Sequence, residues 1–351
     1  MVEIKYEQNR KNMKKIDVAV VGVSGYTGLE LIKILIQHPN FNINYVATSK
    51  GDEKISQIHP SLKDVFEIEV DKVDIKEIAK KSELVFLALP HKTAMEFVKQ
   101  LMKFEDLKIV DLSADYRLER ETYEKYYVPH TDPKNLQNSV YGLPELFRKE
   151  ISKSRLVANP GCYPTSSILG AIPFLKYKKT ETSITIDAKS GVSGAGKKCS
   201  TSTHYVSIND NMFAYDPLKH RHSPEIEEKL SQFGDEENYK VHFIPHLVPT
   251  TRGMLTSIYM ELEIEIDAIS ILREFYKDEP FIRIRENPVT MKDTAGTNFC
   301  DIFAKSDGTF LYIESSIDNL LRGASSQAVA NANLMFGLNE GVGLPIIAIL
   351  P

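Results

Sequence analysis

Ile16-Asp17-Val18-Ala19-Val20-Val21-Gly22-Val23-Ser24-Gly25-Tyr26-Thr27-Gly28 is the stretch whose reading decides the fold. Its opening is a short β-branched run, the pattern of a strand buried on both faces. The glycines then read G-x-x-G-x-x-G, a variant of the dinucleotide fingerprint. In that fingerprint the first glycine makes the turn, the second lets the backbone approach a pyrophosphate, and a helix N-terminus receives the negative charge. The helix follows in register: from Tyr26 to Gln37, Leu29, Leu31, Ile32, Leu35 and Ile36 recur at helical spacing, and His38-Pro39 ends the run. A glycine motif alone is weak, but a strand before it and a helix after it predict a Rossmann-type site rather than a structural turn. Its candidate cofactor-binding residues are Gly22, Ser24, Gly25, Tyr26, Thr27 and Gly28.

Outward from this unit the strand–helix alternation continues. Residues 42–48, 84–89 and 108–111 read as strands and 93–103 as a helix, which predicts right-handed βαβ units and a parallel sheet. After residue 162 the pattern changes. Residues 183–189, 240–244, 255–266, 281–285, 299–305 and 310–317 are strand-like with few helices between them, predicting a mixed or antiparallel sheet. The fold class expected is therefore α/β plus α+β. An extension spans 1–15, with Met13 as an alternative start; a dinucleotide-binding Rossmann domain spans 16–158 and a second domain 159–318. A final helical segment, 319–351, rich in alanine at its start, is expected to pack back on the first domain.

Composition narrows the function classes. A net charge of −5 and a pI near 6.0 give no general attraction to nucleic acid or anionic membrane. No stretch approaches a membrane span, and the polar start is no signal peptide. Three scattered cysteines, Cys162, Cys199 and Cys300, suit neither a disulfide framework nor a metal site, so reduced thiols and a cytoplasmic location are expected.

The end of the second strand reads Ala47-Thr48-Ser49-Lys50. An NAD enzyme usually carries an acid there for the ribose 2′-hydroxyl, and an acid would repel a 2′-phosphate. Thr48, Ser49 and Lys50 favour NADP(H); the alternative is that Lys50 is an ordinary loop lysine and Asp52 does the acid's work.

Chemistry points to Asn159-Pro160-Gly161-Cys162-Tyr163-Pro164-Thr165. The prolines and glycine make a tight turn ahead of a helix opening at 165–169, and a thiol there faces free N–H groups and the positive end of the helix dipole. Both favour thiolate, the nucleophilic form, although a free cysteine is as readily a small buried hydrophobe. A thiolate beside a nicotinamide suggests redox chemistry through a thioester, which needs a proton carrier. His220-Arg221-His222-Ser223-Pro224-Glu225 supplies two: Ser223 can cap and Pro224 can start a helix to Phe233. The adjoining helix start favours His222, with His220 as the alternative. His91, in Leu89-Pro90-His91, sits at a strand's C-terminal end, the ligand edge of a parallel sheet. Arg117, in Asp111-Leu112-Ser113-Ala114-Asp115-Tyr116-Arg117, could bind phosphate or carboxylate. Ser190-Gly191-Val192-Ser193-Gly194-Ala195-Gly196-Lys197-Lys198 suits close approach on an anion but lacks Walker A spacing. Cys199 beside it is the competing nucleophile.

These segments, with Tyr141-Gly142-Leu143-Pro144-Glu145, occur in an order that resembles the N-acetyl-gamma-glutamyl-phosphate reductase family from Ile16 onward. The resemblance implies a Rossmann-type NADP-binding domain and a mixed-sheet catalytic and dimerisation domain of the semialdehyde dehydrogenase type. It also implies reduction of N-acetyl-L-glutamyl 5-phosphate by NADPH, in arginine biosynthesis, to the 5-semialdehyde with release of phosphate. Cys162 matches the family's nucleophile and the His-Arg-His segment its acid/base element. By the same resemblance Ser113, Arg117, Tyr163, Lys197 and Arg221 attend the substrate. Leu89, Pro90, His91, Ser193, Gly194 and Asn319 attend the cofactor, no metal is required, and the assembly is a homodimer or homotetramer. Alternatives are an aminoadipyl-phosphate reductase of lysine biosynthesis, an aspartate-semialdehyde dehydrogenase, and a non-catalytic NADP-binding sensor.

Overall fold

The computed structural model describes residues 15–234 and 239–350; apart from Lys15, the extension assigned to 1–15, and with it Met13, lies outside the described residues. The first sheet has eight strands: β1 (Ile16–Val21), β2 (Phe41–Thr48), β3 (Glu53–Lys54), β4 (Glu69–Lys72), β5 (Leu84–Leu87), β6 (Lys108–Asp111), β7 (Val140–Tyr141) and β8 (Leu156–Ala158). Their order is β3-β4-β2-β1-β5-β6-β8-β7, and every pairing but β3–β4 is parallel. The β-branched run behaves as its composition demands: Val18 to Val21 are fully buried, flanked by β2 and β5. The chain passes from β1 outward to β2 and then back across to β5, so the loop after β1 lies at the point where strand order reverses, the usual ligand crevice of such sheets.

The second sheet has seven strands: β9 (Ile184–Gly191), β10 (Phe213–Ala214), β11 (Val241–Val248), β12 (Met254–Glu261), β13 (Ile282–Ile284), β14 (Cys300–Asp307) and β15 (Phe310–Ile317). They run β10-β11-β9-β12-β15-β14-β13, with β9–β11 and β13–β14 parallel and the other pairings antiparallel. The helix Cys162–Ala171 packs across β12 and β15 and is buried from Tyr163 to Ala171. Strand residues alternate accordingly: Ile184, Ile186 and Ala188 face this core, while Thr185, Asp187 and Lys189 remain partly exposed on the other face.

The C-terminal segment departs from the single helix expected. Gly323 N–H donates to the Asp318 carbonyl and Ser325 N–H to that of Leu320, each at 2.9 Å, so Leu321–Ser325 is one π turn before the α-helix Ser326–Met335. Beyond Met335 the chain continues in turns, not helix. The segment packs back on the first sheet, with Leu321, Ala328, Val329 and Ala332 in the same cluster as Val18, Val20 and Leu31.

His38, which ends the first helix, ties this C-terminal segment down. Its Nδ1 accepts the N–H groups of Phe41 (3.1 Å) and Asn40 (3.2 Å), so Nε2 carries the proton and donates to the Val342 carbonyl at 2.9 Å. Gly343, at φ +71°, is pressed so closely that a Cβ would sit 2.2 Å from the ring. Burial pulls the His38 pKa down to about 4 from the ordinary 6.5. The unfolded chain therefore takes up this proton first, so the stabilisation is complete above pH 6.5 and is lost as the pH falls from 6.5 towards 4. The loss amounts to about 3 kcal/mol at most. Urea unfolding at pH 7 and pH 4.5 should show a smaller pH-dependent loss in His38→Gln than in the parent; equal losses would contradict the assignment.

Candidate active site

Both chemistry-bearing turns leave the same edge of the first sheet. Gly22 follows β1 at φ +91°, where a Cβ would strike the Ala88 carbonyl at 2.2 Å; at Gly28 a Cβ would strike the Gly22 carbonyl at 2.6 Å. The helix Tyr26–Gln37 starts at Gly25 with no side-chain cap and no acid in its first turn, leaving N–H groups for an anion. Around Gly25 itself a Cβ would find only the Gly22 carbonyl, at 3.9 Å. This open cradle fits a dinucleotide pyrophosphate. At the end of β2, Thr48 is buried and its hydroxyl oxygen accepts the Gly51 N–H (3.0 Å), whereas Ser49 and Lys50 are exposed. Asp52 comes after the chain has turned back through Gly51, both at positive φ.

The second turn follows β8. Asn159 N–H donates to the Asp111 carbonyl at 2.8 Å, Gly161 becomes the helix cap, and Cys162 is the first helical residue, three positions before the helix start expected from sequence. The prolines therefore lie on either side of the helix start, with Pro164 tolerated in a first turn whose N–H groups need no intrahelical partner. Glycine is required at 161: a Cβ would sit 2.7 Å from His222 Nε2 and 2.9 Å from Arg117 Nη1. On the far side Gly323 of the π turn packs on the thiol residue, its own Cβ position 2.6 Å from that of Cys162.

A cavity of about 110 Å³ opens over Cys162, lined by His91, Tyr127, Tyr163, Ser190, Gly194, Tyr215, His220, Arg221 and His222. The structure thus brings together the thiol, both candidate bases and His91, which the sequence had set on the cofactor side. Burial pushes the Cys162 thiol up to about 11, against backbone N–H bonds from Tyr163 and Cys162 and the nearby Arg117 charge. The helix-terminal stabilisation expected from sequence is present but outweighed, so the resting form is the thiol. Desolvation, joined by the nearby Arg117 charge, holds His222 well below 6.5. It also brings His220 to about 4 and His91 to about 3. All three imidazoles are neutral at pH 7, and a neutral imidazole is the form that accepts a thiol proton. Among the described residues His222 Nδ1 is buried without a partner, and its Nε2 lies against the Cys162 turn. His220 is turned to another task, its Nδ1 accepting the His222 N–H at 3.1 Å. Ser223 does not cap the following helix: it is the first helical residue, Pro224 the second, and the cap position is His222 itself.

Of the other expected site residues, Tyr163, Gly194 and Arg221 line the cavity and the rest fall outside it or are held by partners of their own. Arg117 is not open to a substrate: Nε donates to the Asn159 carbonyl (2.7 Å), Nη2 to the Leu112 carbonyl (2.8 Å) and Nη1 to Glu225 (3.2 Å). Ser113 is fully buried between Asp111 and the Asp115 N–H, holding the loop rather than a ligand. Lys197 lies outside the cavity, its Nζ 3.4 Å from the Ser24 carbonyl of the glycine loop. Cys199 is exposed away from the cavity, and Cys300 is packed in β14. Tyr163 donates to the His246 carbonyl (3.1 Å) and receives the Tyr215 hydroxyl (3.0 Å), while Arg221 stacks over Tyr127. Asn319 accepts the Gly253 N–H (2.8 Å) and donates to Ser193 (3.0 Å), fastening the loop that carries Gly194 into the cavity.

The residue sequence reasoning missed is Glu225. Its carboxylate is 1% exposed and accepts the Gly161 N–H (3.0 Å), the Tyr141 hydroxyl (2.8 Å) and Arg117 Nη1 (3.2 Å). The available signal was its spacing, three residues after His222. Tyr127 and Tyr215 carried no local signal at all.

Two family models cover this chain: "Semialdehyde dehydrogenase, NAD binding domain" over residues 17–154 and "Semialdehyde dehydrogenase, dimerisation domain" over 162–319. Among solved structures, aspartate semialdehyde dehydrogenase II of Vibrio cholerae superposes with a TM-score of 0.69 at 15% identity, covering 93% of this chain and 99% of that one. That likeness speaks for the fold alone. An N-acetyl-gamma-glutamyl-phosphate reductase of Sulfurimonas denitrificans is 60% identical over 339 residues, 97% of this chain and 100% of its own length. One of Wolinella succinogenes is 57% identical over the same spans. A dinucleotide cradle and a thiol–imidazole cavity on this two-sheet frame, with identity sustained across both, establish that the chain belongs to the N-acetyl-gamma-glutamyl-phosphate reductase family.

Proposed function

We propose that this chain reduces N-acetyl-L-glutamyl 5-phosphate with NADPH to N-acetyl-L-glutamate 5-semialdehyde and phosphate, a step of arginine biosynthesis. The observation that carries the reading is a free thiol on a first helical residue sharing one cavity with a neutral, half-buried imidazole. A sensor that only binds dinucleotide has no use for that pair. Kinship with the named reductases narrows the acyl group.

His222 takes the Cys162 proton as sulfur attacks the acyl carbon, which answers the high thiol pKa: the thiolate forms only as the bond forms. The carbon–oxygen bond to phosphate breaks and a thioester remains on Cys162. A dinucleotide held at the glycine loop from Gly22 to Gly28 would supply hydride to this thioester, and the oxygen of the thiohemiacetal on Cys162 would take the proton held on His222. Return of that proton through His222 to sulfur breaks the carbon–sulfur bond and frees the aldehyde. The cavity walls, Tyr163 and Tyr215, exclude water that would hydrolyse the thioester. Arg221, exposed at the mouth, is placed to meet the substrate's anionic groups, and Lys197 to meet those of the cofactor.

Ser49 and Lys50, exposed at the end of β2 with no acid beside them on the strand, support NADP(H) over NAD(H). The partly exposed face of the second sheet, bearing Asp187, Lys189, His246 and Tyr259, is the surface we assign to a second copy of the chain. A thiol nucleophile needs a reducing compartment, and with all three cysteines free we place the protein in the cytoplasm.

Cys162→Ser should abolish phosphate-dependent reduction of NADP⁺ by the semialdehyde while leaving NADP(H) affinity, measured by calorimetry, nearly intact; residual full activity would sink the mechanism. Lys50→Glu should weaken NADPH by about tenfold to a hundredfold, the worth of a charge-assisted contact, and leave NADH little changed. Equal effects on both nucleotides would count against the 2′-phosphate assignment.

A further inference from the structure

Glu30, Arg252 and Asp318 lie outside the cavity, and no step above uses them. Glu30 sits in the second turn of the helix that starts at the glycine loop, yet it is only 8% exposed; Asp318 is fully buried at the end of β15. Between them lies Arg252, on the turn joining β11 to β12. Its Nε is 2.7 Å from Asp318 Oδ2, its Nη2 donates to Oδ1 at 3.1 Å, and the same Nη2 is 3.5 Å from Glu30 Oε2. Lys33 also reaches Glu30, at 2.9 Å, but from the solvent side. One guanidinium therefore joins a carboxylate under the dinucleotide cradle to a carboxylate of the catalytic sheet.

Both ends of this bridge lead to reacting groups. Asp318 accepts the N–H groups of Leu320 (2.9 Å), Leu321 (3.0 Å) and Gly296 (2.7 Å), and so organises the entry to the π turn whose Gly323 packs on Cys162. Gly253, next to Arg252, holds Asn319, which in turn holds Ser193 of the loop carrying Gly194 to the cavity. Ser325, at the end of the π turn, donates to the Thr27 carbonyl at 2.9 Å, closing the circuit onto the glycine loop. Burying two carboxylates is costly without a shared counter-charge, and the rigid fork of arginine can serve two at once where lysine cannot.

We propose that Arg252 is a positioning residue for hydride transfer: by clamping Glu30 to Asp318 it sets the dinucleotide cradle at a fixed distance from the Cys162 thioester. The proposal rests on the reductase reading above. Acylation needs only Cys162, His222 and substrate, whereas reduction also needs the two halves in register. Arg252→Met should therefore slow the two steps unequally.

The test separates them. Rapid mixing of the parent with N-acetylglutamyl phosphate, without NADPH, reads acylation as a burst of phosphate; single-turnover oxidation of NADPH on the acylated enzyme reads hydride transfer. In Arg252→Met the burst should change by no more than about threefold. Hydride transfer should fall by about thirtyfold or more, the scale expected for sub-ångström to ångström misplacement, and show an enlarged isotope effect with 4-deuterated NADPH. Glu30→Gln, which cuts only the cradle arm, should show the same split to a lesser degree with a melting temperature close to the parent's. Equal losses in both steps, or none in either, would overturn the positioning role. A parent protein that gives no phosphate burst would instead overturn the reductase reading.

Discussion

The site depends first on one carboxylate. Glu225 accepts the Gly161 N–H, the Tyr141 hydroxyl and an Arg117 N–H, and thereby joins three parts of the chain that meet only in the fold. Gly161 needs this partner, because a sharp bend into a buried helix leaves its N–H with no intrahelical acceptor. The carboxylate in turn needs Arg117, since a charge so deeply buried is otherwise costly. Arg117 completes its own bonding on the Asn159 and Leu112 carbonyls, so the loop after β6 and the turn after β8 are locked to each other. Glu225 lies one turn beyond His222 on the same helix start; placing the thiol and placing the imidazole are one event.

The electrostatics of the cavity follow from that arrangement. Burial raises the thiol and lowers the imidazoles, and the charges of Arg117 and Arg221 add to the lowering at His91. The resting pair is neutral, SH beside N, rather than thiolate beside imidazolium. An anionic acyl phosphate entering this enclosure raises the affinity of an imidazole for its proton, since an added negative charge favours the cationic form. The same residue can then accept a proton during acylation and hold it while phosphate remains near.

Much of the frame could be read locally because local physics decides it. Val18–Val21 have one residence, between two parallel neighbours, and the helix Tyr26–Gln37 follows from its spacing and its glycine entry. β6 and β15 likewise begin and end at the residues read from sequence, 108–111 and 310–317. The π turn at Leu321–Ser325 was hidden, since nothing in Leu-Arg-Gly-Ala-Ser distinguishes it from α-helix. Its register is set by Gly323 against Cys162, and Arg322, fully buried, is held by Glu145 from a distant helix. Arginine's type suits an anion at 117, and the resemblance sets Ser113 beside it on the substrate; their occupation by Glu225 and Asp111 is a tertiary fact. The thiol shows the same limit from the other side. Its helix-terminal N–H bonds were visible in sequence, while the burial that outweighs them was not.

The most direct measurement is capture of the acyl group on sulfur. Incubation with N-acetylglutamate semialdehyde and NADP⁺, with phosphate withheld, oxidises the aldehyde to an enzyme-bound acyl group, and peptide mass spectrometry after acid quench locates it. The predicted result is one N-acetylglutamyl group on the peptide carrying Cys162, discharged when phosphate is added. An acyl group on Cys199, or stoichiometric NADPH formation with no adduct at Cys162, would contradict the thioester and the site built around it.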